Sequence, residues 1–121
     1  MKFCHVTLTV QNLEASLKFY EETVGLSLKR RFQAGPDAEI AFVGGGETEV
    51  ELICGNAPVR SDEAGGGISI GFLTDSLEKV IAALRENGYE TDGKILSPNP
   101  TTHFVYAKDP DGYKIQFMLA E

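Results

Sequence analysis

The chain has 121 residues, 42% apolar and 24% charged, which suits one folded domain with a sizeable core. Its formal net charge of −7 disfavours nucleic-acid phosphates, and no apolar run of about 18 residues is present to cross a membrane. The opening Met1-Lys2-Phe3-Cys4-His5-Val6 lacks the segments of a secretory leader, so a cytoplasmic protein is expected, with Cys4 and Cys54 reduced and buried.

From Phe3 to Val10 the pattern alternates. Cys4, Val6, Leu8 and Val10 share one face and His5, Thr7 and Thr9 the other, as in a half-buried strand. Asn12 is placed to cap a helix whose buried stripe is Leu13, Leu17, Tyr20 and Val24, with Gly25 after its end. Strands are expected around Leu26 to Phe32, Glu39 to Val43 and Thr48 to Cys54, with turns at Gly35-Pro36-Asp37 and Gly44-Gly45-Gly46. Lys29-Arg30-Arg31 reads as a solvated strand end.

Residues 57–66 read as a polar linker between module one, about 1–56, and module two, about 67–121, of a single domain. The order of elements then repeats. Ile68 to Leu73 is a strand, and Asp75 with Glu78 is a capping box. Leu77, Val80, Ile81 and Leu84 form a helical stripe that ends at Gly88. Tyr89 to Ile95 is a candidate strand and Leu96 to Thr101 a loop. His103 to Ala107 and Tyr113 to Leu119 form a hairpin around Asp109-Pro110-Asp111-Gly112. Laid over each other, the halves put His5 opposite Ile68 and Glu51 opposite Gln116. The fold class is therefore α+β, as two βαβββ modules.

Two stretches carry a family likeness. His5 to Tyr20, with Val24-Gly25-Leu26, resembles the opening of glyoxalase I, the lactoylglutathione lyases of the vicinal oxygen chelate superfamily. Lys108-Asp109-Pro110-Asp111-Gly112-Tyr113-Lys114-Ile115-Gln116-Phe117 resembles that family's C-terminal signature. The resemblance implies two modules whose curved mixed sheets form a cupped pocket, commonly completed in a homodimer. It also implies a divalent metal (nickel, zinc, cobalt, manganese or iron) in some members and none in others.

By the same resemblance, His5 and Glu51 are the metal ligands of the first module, with Glu51 the catalytic base. Gln116 stands where glutamate is usual. It can ligate through its amide oxygen but cannot act as a base. Ile68 stands where the lyases carry histidine. An arginine that holds a glutathione carboxylate is replaced by Thr9, and a helping asparagine falls near Gly55, so a glutathione adduct is not the expected substrate. Thr7 and Thr9, with Ile68, Ile70 and Phe72 on one strand face, are candidate ligand-binding residues, although the three apolar ones equally suit the core. His103 reads as structural or exposed.

Two functions remain open. One is a glyoxalase-type metal-dependent lyase or isomerase acting on a small oxygenated substrate. The other is a metal-free protein that binds or sequesters a small molecule, as bleomycin-resistance proteins of the superfamily do. A ring-cleaving dioxygenase would need two histidines and a glutamate around iron, which the matched positions do not supply.

Overall fold

The computed structural model describes residues 1–57 and 67–120, so the expected linker lies, Ala57 apart, outside the described residues. The chain divides into two compact units, Met1–Arg60 and Ser61–Glu121.

In the first unit, β1 (His5–Thr9) leads into α1 (Leu13–Lys18). The Asn12 side chain accepts from the Ala15 N–H at 3.0 Å, satisfying a donor that the first helical turn would otherwise leave orphaned. α1 passes into a single π-helical turn, Phe19–Thr23. The Val24 N–H reaches back five residues to the Phe19 carbonyl at 3.1 Å. The wider turn rotates the buried stripe, so adjacent Phe19 and Tyr20 are both fully buried and meet edge to face with ring centroids 5.0 Å apart. Gly25, at φ 86°, lets the chain leave this turn in a conformation costly for other residues. β2 (Ser27–Gln33), β3 (Glu39–Gly44) and β4 (Glu49–Cys54) complete a mixed sheet in the order β1-β4-β3-β2, with β1 parallel to β4 and the other pairs antiparallel. Leu8, Val10, Ala41, Val43, Val50 and Leu52 are buried with Leu13 and Leu17 of α1.

Both cysteines are free thiols, but they are not buried as expected: Cys4 is exposed and Cys54 half-buried. Cys4 immediately precedes β1, which lies at the edge of its sheet.

Arg31 crosses from β2 to both α1 and β3. Its Nε donates to Glu39 at 2.7 Å and its guanidinium also pairs with Glu14. The Arg31 hydrogen bond holds the Glu39 carboxyl below its ordinary range. A carboxyl whose pKa is lower folded than unfolded stabilises the fold above the ordinary glutamate range, and that contribution is lost as pH falls through the lowered value. Arg31→Gln is therefore expected to flatten the acid limb of a stability-against-pH curve measured by urea unfolding, lowering stability at neutral and alkaline pH and leaving it unchanged at acid pH where Glu39 is protonated in both states. Both groups face solvent, so the effect is small and fades with salt.

The second unit repeats the order. β5 (Ser69–Thr74), α2 (Leu77–Glu86), β6 (Leu96–Asn99), β7 (Thr102–Lys108) and β8 (Lys114–Leu119) form a sheet in the order β5-β8-β7-β6, with β5 parallel to β8. Together the two mixed sheets establish the α+β class and the doubled βαβββ pattern.

Three local expectations are corrected. Ser76, not Asp75, caps α2, accepting from the Lys79 N–H at 3.2 Å, so no Asp75–Glu78 capping box forms. The strand expected over Tyr89 to Ile95 forms instead at Leu96–Asn99. It contains Pro98, which lacks an N–H, and that is tolerable because β6 is an edge strand. The third correction concerns facing. Ile70 and Phe72 sit beside Ile115 and Phe117 in the β5–β8 register, on the face buried with Leu77 and Leu84 of α2. Ile68 shares their parity and lies just outside β5, exposed. The apolar trio is thus aligned with the core side of its sheet, not with the side that carries Gln116.

The end of α2 is closed by a pair of reversed hydrogen bonds, from Gly88 N–H to the Arg85 carbonyl at 3.2 Å and from Tyr89 N–H to the Leu84 carbonyl at 2.9 Å. In the β7–β8 turn, Asp109 Oδ1 accepts from the N–H groups of Asp111 and Tyr113 at 3.0 and 2.9 Å. Asp109 is buried and organises the turn.

Candidate functional site

The face of the first sheet away from α1 gathers the polar residues. Parallel pairing places Thr7 opposite Glu51 and His5 opposite Glu49. Antiparallel pairing places Phe42 opposite Glu51. Val50 and Leu52, on either side of Glu51, are buried toward the helix, so alternation turns Glu51 outward.

Glu51 is held at one oxygen. The Thr7 hydroxyl donates to Oε1 at 2.6 Å. His5 Nε2 lies 3.6 Å from the same oxygen, with the Glu51 side chain 14% exposed and that of His5 37%. Cys4 Sγ is 3.4 Å from His5 Nδ1, the ring nitrogen that carries the proton when Nε2 binds an ion. The imidazole also meets the Phe42 ring edge to face at 5.5 Å, which fixes its orientation.

The aromatic contacts continue along this face. Arg30 lies over Phe42 with its guanidinium carbon 3.9 Å from the ring centroid. It donates to both carboxylate oxygens of Glu49, at 2.9 and 3.2 Å. Phe32 stacks against Phe42 at 6.3 Å. The Arg30–Glu49 pair and the two phenylalanines are the part of this face that sequence reasoning missed. The bulge between Leu28 and Arg30 re-aims the strand there, and strict alternation does not anticipate a bulge.

Donor spacing tests whether His5 and Glu51 suit a divalent ion. Two bonds of about 2.0–2.2 Å at a tetrahedral angle set their donors about 3.3–3.6 Å apart, and the observed 3.6 Å is at the upper end of that span. An imidazole and a carboxylate are also ordinary ligands for nickel, zinc, cobalt, manganese or iron. The pair fits, but it is only part of a coordination shell. Among the described residues no three His, Cys, Asp or Glu side chains cluster as metal ligands.

Position 55 carries a steric message. A Cβ on Gly55 would meet the Asp37 carbonyl oxygen at 3.0 Å and the Ala38 Cβ at 3.1 Å, so an asparagine there would need the neighbouring loop to shift. Thr9 is half-buried on the strand that bears His5 and brings no charge.

In the second unit, Gln116 has Gly71 as its parallel partner and Tyr106 as its antiparallel one. Glu51 has Thr7 and Phe42 in the same places. The two sheets thus match Thr7 with Gly71, and by the same step His5 with Ser69. The expected match of His5 to Ile68 is out by one residue, so Ser69 and Gly71 accompany Gln116 and do not face the helix. His103 has both ring nitrogens occupied within its own unit, Nδ1 with the Ser97 hydroxyl at 2.7 Å and Nε2 with the Pro100 carbonyl at 3.2 Å.

The chain matches the family described as the glyoxalase/bleomycin resistance protein/dioxygenase superfamily over residues 2–117. It belongs to that superfamily. A lactoylglutathione lyase of Neisseria meningitidis is 34% identical over 126 aligned positions, covering 98% of this chain and 90% of the relative. The trypanothione-dependent glyoxalase I of Leishmania major superposes with a TM-score of 0.78 at 25% identity, over 98% of this chain and 86% of that one. A glyoxalase family protein of Bacillus cereus reaches a TM-score of 0.84 at 18% identity, over 98% and 93%, and shares the fold. Among the described residues, no helix of this superfamily member is long and apolar enough to cross a membrane.

Proposed function

We propose that the chain is a metal-dependent lyase or isomerase of the glyoxalase I kind, acting on a small oxygenated substrate that is not a glutathione adduct. The reading is carried by the 3.6 Å approach of His5 Nε2 to a Glu51 oxygen that the Thr7 hydroxyl already orients. The name of the Neisseria relative supports the reaction class.

In this reading His5 and Glu51 hold the ion, with Gln116 a third donor named by resemblance alone. The ion, when bound, supplies Lewis-acid polarisation of substrate oxygens. Glu51 takes a proton from a carbon beside a carbonyl and returns it to the neighbouring carbon, so no proton is gained or lost overall. Thr7 keeps the carboxylate aimed. Thr9 is the uncharged neighbour on the same strand, and Phe42 and Phe32 provide an apolar wall for the substrate's body. A homodimer belongs to the same reading.

A second reading, a metal-free binding protein, draws on the second module, where Ser69 and Gln116 carry no charge. Substrate choice tests the first. Protein loaded with nickel or zinc is assayed on hemithioacetals of methylglyoxal made with glutathione and with a neutral thiol. Rates should agree within about tenfold, since Thr9 brings no charge to the position that would hold the glutathione carboxylate. A preference for the glutathione adduct on the order of 100-fold would overturn the substrate assignment. Absence of turnover with every adduct would favour the binding protein.

A further inference from the structure

Two carboxylates share the outward face of β4. Glu49 and Glu51 are two residues apart on one strand, so alternation turns both the same way. Parallel pairing with β1 sets Glu49 directly opposite His5 and Glu51 opposite Thr7. Neighbouring strands lie about 4.8 Å apart, so both carboxylates are within side-chain reach of the imidazole. Of the two, Glu51 is the one that meets it, with Oε1 3.6 Å from His5 Nε2.

Glu49 is turned aside by Arg30. The guanidinium donates to both of its carboxylate oxygens, Nη2 to Oε1 at 2.9 Å and Nη1 to Oε2 at 3.2 Å. A planar fork matched to a carboxylate is stronger and more directional than a single contact. Arg30 is itself seated. It is the cross-strand partner of Phe42, reached through the bulge after Leu28, and its guanidinium carbon lies 3.9 Å from the centre of that ring. Phe42 is 7% exposed, with Arg30, Phe32 and the His5 imidazole around it.

Without Arg30 the face would carry two carboxylates beside one imidazole. Glu49 would lose its charge-assisted partner, and the imidazole opposite it is a donor within reach. It would then compete with Glu51 for His5 and for a cation held there.

We infer that Arg30 is a positioning residue: by holding Glu49 in a two-pronged ion pair on the Phe42 ring, it leaves Glu51 as the single carboxylate that His5 meets. The consequence for an ion, selection of one carboxylate ligand out of two, rests on the reading above. The geometry itself is a property of the metal-free chain.

The test follows the His5 and Phe42 ring protons of the metal-free full chain at neutral pH by nuclear Overhauser spectra. The natural chain should give clear contacts between the two rings, whose centroids are 5.5 Å apart. Arg30→Gln should weaken them, as the freed Glu49 draws the imidazole away from Phe42 and Glu51. Glu49→Gln alone should leave them intact. Glu49→Gln added to Arg30→Gln should restore them, which a purely structural packing of Arg30 on Phe42 would not do. Arg30→Lys keeps the charge without the fork and should fall between the natural chain and Arg30→Gln. The Arg30 side chain is 51% exposed, so the variants are expected to fold, and circular dichroism checks this. Loading with cobalt gives a second readout. Arg30→Gln should alter the visible absorption bands, which report the ligand set, and the double variant should return them to those of the natural chain. If Arg30→Gln leaves the ring contacts unchanged, or if the double variant does not restore them, the inference fails. If the natural chain binds no cobalt, the metal reading fails, and the ring contacts still decide the inference.

Discussion

His5→Ala is expected to abolish stoichiometric binding of nickel, zinc or cobalt, and Glu51→Gln to weaken it on the order of 100-fold or more. The scale follows from comparison with outer partners. Loss of a group that merely orients a ligand costs about 10–100-fold in metal affinity, and loss of a ligand costs at least the upper end of that span. Thr7→Val should therefore fall between the natural chain and Glu51→Gln, because it removes the 2.6 Å hydrogen bond that aims the carboxylate. Calorimetric titration with metal analysis per chain measures all three. The graded order His5, Glu51, Thr7 is the signature of one shared site. Unchanged binding in His5→Ala would show that the ion sits elsewhere, and an inability of the natural chain to bind any of these ions would leave the metal-free reading.

The second large effect is on stability. Phe19→Ala is expected to cost about 3–5 kcal/mol, the range for emptying a buried aromatic site. Phe19 is fully buried, packs on Tyr20, and begins the π-helical turn that lets both rings point inward. The cavity cannot close easily, because the helix would have to rewind to bring another side chain into the space. The midpoint of thermal unfolding should drop on the order of 10–20 °C. Leu73→Ser is the contrasting case. Leu73 is 75% exposed in β5, and removing it should shift the midpoint little. A comparable loss in both variants would contradict the burial pattern.

Much of the fold could be read from alternation and spacing, and particular residues show why. Val6, Leu8 and Val10 mark the covered face of β1, so the outward placement of His5 and Thr7 follows from a period of two. Glu51 follows in the same way from Val50 and Leu52. The repeat was harder to align. Setting Ile68 under His5 matched an apolar residue with a polar one. Setting the apolar set Ile70 and Phe72 under Val6 and Leu8 gives the observed match of His5 to Ser69, and that signal was present in the sequence. The helix start was blurred because Asp75 and Ser76 are both good caps, and only the backbone path decides between them. The strand at Leu96–Asn99 was hidden by Pro98, which reads as a breaker unless the strand is known to lie at an edge. The contacts of Arg30 with Phe42 and Glu49 depend on a bulge and on strand pairing. No local pattern carries them.

Each four-stranded sheet takes all its strands from one half of the chain. Thr7 and Glu51, cross-strand partners in the parallel pair, are 44 residues apart. Parallel pairing is slow when its loops are long, but here no ladder waits for the far half of the polypeptide. The first sheet can close while the second is still being synthesised, so the edge of β4 that β1 must cover is exposed only until its own module has emerged.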